Sequence, residues 1–188
     1  MKLIPFLMLL IASLLPSVSV ADTTVSGHKI PESIIVGDDE LLLNGAGIRH
    51  KIFIKVYIGA LYLTEPAHKA DGVLAMPGSK SMRMYILYKK ISARKIRNAW
   101  TEGLEDNLSK DRLAKIRPRL ERFNALFPDL HKGDVVSMDY QPGKGTTVVY
   151  NGEERGSVKG GDFFSDLLQV WIGKAPADAG LKRDVLGL

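Results

Sequence analysis

The sequence predicts an α+β domain: an antiparallel sheet covered by helices. Three observations carry that expectation. Residues 52–63 (IFIKVYIGALYL) hold a single charge and place apolar side chains on both parities, the pattern of a central strand buried on both faces. Two helical periodicities follow one another over residues 92–127, between strand-like stretches on either side. A strand pair around Pro142-Gly143-Lys144-Gly145 and an Asn151-Gly152 step then mark consecutive hairpins.

Residues 1–21 have the build of a secretory signal. Lys2 supplies the positive start, residues 3–15 an uncharged leucine-rich run, Pro16 a breaker, and Ser19-Val20-Ala21 the small residues of a cleavage site. Export to the periplasm or secretion, with cleavage after Ala21, is the expectation. Residues 22–188 then form one domain, large enough for a full hydrophobic core. The chain has no cysteine, so disulfide staples contribute nothing and the core must hold the fold. His28, His50, His68 and His131 lack ligand spacing, and neither a metal nor another cofactor is expected.

A strand is expected over residues 24–29 and another over 33–36, with Pro31 interrupting and Gly37-Asp38-Asp39 turning the chain. Residues 41–63 read as two apolar runs joined by a flexible turn at Asn44-Gly45-Ala46-Gly47. Arg49 follows directly and should sit at the mouth of whatever the sheet covers. Gly59, inside the second run, signals a bulge or a close approach to the backbone. Residues 66–76 are a short helix or a loop, and residues 81–88 alternate as a strand.

Ser92 is placed to cap a helix striped by Ile96, Ala99, Trp100, Leu104 and Leu108. Leu113, Ile116, Leu120, Phe123 and Phe127 mark a second helix, which Pro118 should kink or restart. Gly143-Lys144-Gly145 lacks the spacing of a phosphate-binding loop and is better read as a hairpin turn. Asp162 is expected to cap a helix carrying Phe163, Phe164, Leu167, Leu168 and Trp171, terminated by Gly173. Residues 177–186 form one more short helix. Both tryptophans lie on apolar stripes and read as core, with Trp100 the better placed to touch a cleft.

Net charge is +5, and lysines and arginines recur from Lys89 to Arg122. They alternate with core-facing Ile96, Leu113, Ile116 and Leu120 and are interspersed with Glu102, Glu105, Asp106, Asp111 and Glu121. That is the solvated face of two helices, and export removes most nucleic-acid partners. Weak attraction to anionic lipid head groups stays compatible with it.

LNGAGIR at residues 43–49, followed by KVYIGALYL at 55–63, resembles the chalcone isomerase-like family, whose members carry a Gly-x-Gly-x-Arg segment before such a strand. TVSGHKIP (24–31) resembles the family's opening strand, residues 92–107 its pocket helix, and residues 168–187 its closing helices around Trp-Ile-Gly. The resemblance implies an open-faced β-sandwich with a ligand cleft between the large sheet and the helices. The signal-like N-terminus suggests a bacterial, exported branch rather than the plant enzymes.

In the family enzymes the arginine stabilises a phenolate and an enolate while hydroxyl and amide groups position water, closing a flavanone ring. Arg49 matches the arginine. The helper positions fall at Val56, near Ser92 and Ala99, and at Val170, where the family hydroxyls and amide are missing. A positioned oxyanion donor contributes about 2.7–4 kcal/mol, so several lost together argue against efficient ring closure. Fatty-acid-binding members use the same arginine as an anion anchor. The resemblance therefore implies a non-catalytic binder of a small amphipathic acid, with Arg49, Val56, Ser92, Ala99, Trp100 and Val170 around the ligand. An intramolecular lyase on an unknown substrate is the alternative. A third reading leaves Arg49 paired with an internal Asp or Glu, merely holding its turn.

Overall fold

A computed structural model describes residues 23–188; the expected signal segment lies outside them. The chain opens with a small hairpin of β1 (Thr23–Val25) and β2 (His28–Ile30), then β3 (Ser33–Val36), β4 (Asp39–Lys51) and β5 (Ile54–Leu63). α1 (Ala70–Ala75) leads to β6 (Lys80–Ile86) and the two-residue β7 (Lys90–Ile91). A helical block, α2 (Ala93–Asn107) and α3 (Lys110–Ala125), follows, then β8 (Leu130–His131). β9 (Val135–Gln141), β10 (Gly145–Tyr150) and β11 (Glu153–Val158) complete the strands, and α4 (Gly161–Ile172) and α5 (Ala179–Val185) close the chain.

Seven strands pair antiparallel in the order β11-β10-β9-β6-β5-β4-β3. β6 and β9 are neighbours in the sheet, so the α2–α3 block is a crossover laid over one face. The α+β architecture expected from the sequence is the one observed.

β5 is buried on both sides, as its pattern required. Tyr57, Leu61 and Leu63 join the large core beneath the helices; Ile58, Ala60 and Tyr62 join a smaller cluster on the other face, with Ile30, Ile34 and Leu41. The large core centres on Trp100, Trp171, Phe123, Phe163 and Phe164, each under 2% exposed. Burying a side chain of this size contributes about 1.5–3 kcal/mol, and truncating Trp100 to alanine would cost about 3–5 kcal/mol. α2 buries Ile96, Trp100 and Leu104 at successive i+4 steps, and Ser92 caps it by accepting the Lys95 N–H at 3.3 Å.

Several local expectations are corrected. Residues 24–29 are not one strand, because Ser26 and Gly27 both take positive φ and turn β1 back into β2. The Gly-rich segment 44–47 lies inside β4, and the turn falls at Ile52-Phe53, where β4 pairs Lys51 with Ile54. α3 runs through Pro118 without restarting. Gly160, not Asp162, occupies the N-cap of α4; Asp162 lies in the first turn and is drawn outward by Arg119 and Arg112 at 2.7–2.8 Å. Asn151 and Gly152 both have positive φ, as the expected I′ turn demands.

Candidate functional site

The Gly-rich segment is a docking floor. Gly45, Gly47 and Arg49 share the helix-side face of β4, and Gly47 pairs across the ladder with Gly59 of β5. A Cβ at Gly45 would collide with the Asp184 carbonyl, one at Gly47 with the Asp184 side chain, and one at Gly59 would lie 2.9–3.3 Å from Met82 and Leu181. Absent side chains therefore let α5 lie against the strands. Asn44, the extra residue of a bulge, fixes that arrangement: its amide donates to Val185 O at 2.8 Å and Ala67 O at 2.9 Å and accepts from Ala67 N at 2.7 Å.

Arg49 is the next helix-side residue beyond this floor. It pairs with Tyr57, and its guanidinium carbon stands 5.8 Å from the centre of the Tyr57 ring. A second bulge on β5 leaves Val56 opposite nothing, and Val56 and Tyr57 both reach one cavity of about 470 Å³. Arg49, Val56 and Tyr57 form its sheet side, Ala99 and Trp100 of α2 its helical wall, and Val170 of α4 and Ala177 its end. The volume lies in the range of small-molecule sites. Tyr57, Ile91, Ile96, Trp100 and Val170 are buried, whereas Lys51, Tyr88, Lys90, Lys95, Asn98 and Glu102 are exposed along the rim.

Five of the six residues singled out from the sequence thus meet: Arg49, Val56, Ala99, Trp100 and Val170. Ser92 does not line the cavity; its hydroxyl is occupied in capping α2. Tyr57 was missed, since in sequence it reads as one more core residue of an apolar strand. Placing the turn at Ile52-Phe53 would have set Val56 opposite Arg49; it is the bulge at Val56 that brings Tyr57 there instead.

Tyr57 Oη accepts a hydrogen bond from Trp171 Nε1 at 2.9 Å, and Trp171 stacks obliquely on Trp100 with ring centres 5.2 Å apart. Burial pushes the Tyr57 phenol up to about 12, against the opposing pull of the Arg49 cation and the Trp171 hydrogen bond. Tyr57 is therefore a neutral donor at any physiological pH. Trp100 Nε1 is buried without an acceptor among the described residues.

Arg49 has no carboxylate within 4.0 Å among the described residues. Asp178, whose field reaches Tyr57, accepts instead from the backbone N–H groups of His50 and Leu181, at 2.8 and 2.9 Å. The internal ion pair that would make Arg49 purely structural is not formed among these residues. Chemically, the arrangement offers a guanidinium and a phenol beside an apolar recess. No group of three or more His, Cys, Asp or Glu among the described residues is arranged to hold a metal ion.

The chain is similar to fatty-acid-binding protein 1 of Arabidopsis thaliana, at 27% identity over 90% of this chain and 72% of that protein. Its fold is that of the crystal structure of an Arabidopsis thaliana fatty-acid binding protein, with a TM-score of 0.69 over 85% of this chain and 92% of the other, at 24% identity. The chalcone isomerase-like family model matches residues 22–187, and the chain belongs to that family.

Proposed function

We propose that this protein is a non-catalytic carrier of a small amphipathic, fatty-acid-like acid, working in the periplasm or after secretion. The observation that carries the proposal is Arg49, a cation without a carboxylate partner among the described residues, on the wall of a cavity with an apolar interior and a charged rim. An arginine fork grips a carboxylate through two parallel hydrogen bonds, more strongly in a dry site than in water. Each methylene buried behind it adds about 0.8 kcal/mol. Val56, Ala99 and Val170 provide hydrocarbon where ring-closing chemistry would need groups to hold water. The likeness to a fatty-acid-binding protein supports the same class of ligand. Export rests on the signal-like residues 1–21.

Native mass spectrometry of protein recovered from its own compartment tests the proposal, with lipid extraction of the same sample. A co-purifying monocarboxylic acid is the expected result. A protein that carries none, and binds none when offered a series of chain lengths, would contradict it.

A further inference from the structure

The tip of the β4–β5 hairpin contributes nothing to the core. Ile52 is 83% exposed, Phe53 95% and Ile54 48%. Scattered exposed apolar residues are ordinary; three large ones in succession on a protruding turn are not. The backbone adds a second oddity. Ile52 has φ +60° while Phe53 does not take a positive φ, so this two-residue turn places a β-branched side chain where glycine usually sits. Such a residue is strained in the left-handed region, and asparagine or glycine would relieve it. The tip thus sacrifices stability to present isoleucine and phenylalanine to the surroundings.

Lys51 and Lys55 flank the tip directly, with no acidic residue between them in sequence; in space the Asp178 carboxylate meets the His50 backbone N–H at 2.8 Å. Lys51 and Ile54 share the cavity rim with Tyr88, Lys90 and Lys95; Lys90 is paired with Asp129 at 2.7 Å, and Glu102 is the rim's one carboxylate. An apolar wedge collared by lysines matches an anionic bilayer, whose acyl boundary takes the wedge while its phosphates meet the ammonium groups. A three-residue tip is far smaller than the roughly 1,000 Å² that a specific protein interface buries.

We propose that the hairpin tip at residues 52–54 docks the protein on an anionic phospholipid bilayer with the cavity mouth facing the lipid. Docking stands whatever the cavity holds. Passage of an acid between bilayer and cavity rests, in addition, on the carrier function.

Co-sedimentation with vesicles tests this, comparing phosphatidylglycerol-containing vesicles with pure phosphatidylcholine at roughly 0.1 M salt. Wild type and variants are prepared identically, so residues 1–22 are common to all. The combined Ile52→Asn and Phe53→Ser variant should lose about tenfold or more in affinity for anionic vesicles. It should melt no lower than wild type and keep its fatty-acid affinity in solution. Lys55→Gln should weaken vesicle binding severalfold and flatten its salt dependence. Arg49→Ala should lose fatty-acid affinity but still sediment, which separates failure of the carrier function from failure of docking. Equal sedimentation of wild type and tip variant would overturn the proposal. So would a wild type that ignores anionic vesicles, or one whose tip instead mediates a dimer in ultracentrifugation.

Discussion

Replacing Gly45 with alanine tests why the Gly-rich segment exists. On an uncovered strand the change would stabilise, since glycine costs roughly 0.5–1 kcal/mol relative to alanine in an element interior. Here the new methyl would overlap the Asp184 carbonyl oxygen and stand 3.0 Å from Val185 C and 3.1 Å from Gly187 N. These are backbone atoms of the last turn of α5 and the residue just past its cap, which cannot rotate away, so the helix end must shift. It is also held to β4 through Asn44. Overpacking of this kind costs about 1–3 kcal/mol, outweighing the intrinsic gain. In a domain of this size that corresponds to a melting point lower by about 2–12 °C. Gly72→Ala in α1 is the control: its Cβ would meet nothing within 4 Å, and it should stabilise by about 0.5–1 kcal/mol. Gly59→Ala should be milder than Gly45→Ala, because the atoms it meets are flexible side-chain ends of Met82 and Leu181. Thermal unfolding by circular dichroism reads all three. A Gly45→Ala protein melting at or above wild type would refute the docking-floor account and restore the flexible turn.

Three further outcomes follow from the same geometry. Asn44→Ala removes three hydrogen bonds and leaves the half-buried backbone groups of Ala67 and the buried carbonyl of Val185 without them, so denaturant titration should show a loss of about 1–3 kcal/mol. Asp162 is held well below its ordinary 3.8 chiefly by hydrogen bonds from Arg119 and Arg112. A depressed carboxylate stabilises above its unfolded pKa and loses that contribution as pH falls, so Asp162→Asn should cost roughly 1 kcal/mol near neutrality, little because the group is half exposed. That difference should fade from about pH 5 downward; a pH-independent difference would contradict the ion-pair origin. Burial raises its neighbour Asp166, whose contribution has the opposite sign, so total stability need not follow Asp162 alone. Val56→Thr puts a hydroxyl on the cavity wall at nearly constant volume and should weaken a bound acyl chain by about 1 kcal/mol, read by displacement of a fluorescent fatty acid.

What was legible in the sequence was local or periodic. The double-sided burial of β5, the Ser92 cap and the Asn151-Gly152 turn each depend on a few adjacent residues. Elements whose meaning depends on distant partners were misread. Glycine marks both a turn and a close approach, and only α5, some 140 residues beyond Asn44, decides between them at Gly45 and Gly47. Ile52-Phe53 carries no turn residue, which hid the true hairpin, and nothing in sequence marks the bulge at Val56 that pairs Arg49 with Tyr57. Asp162 is the right type for a cap, but two arginines from α3 claim its carboxylate. The cavity residues came from family resemblance, not from pattern. Ser92, legible in the sequence as a cap, spends its hydroxyl on α2 and does not line the cavity.

The carrier account depends most directly on Arg49, and calorimetric titration of a long-chain fatty acid into wild type and Arg49→Ala tests it. Loss of a charged hydrogen-bonding partner is worth about 1.5–3 kcal/mol, so affinity should fall about 10- to 150-fold, with Arg49→Lys recovering only part because it lacks the planar fork. Equal affinity in wild type and Arg49→Ala would contradict the account.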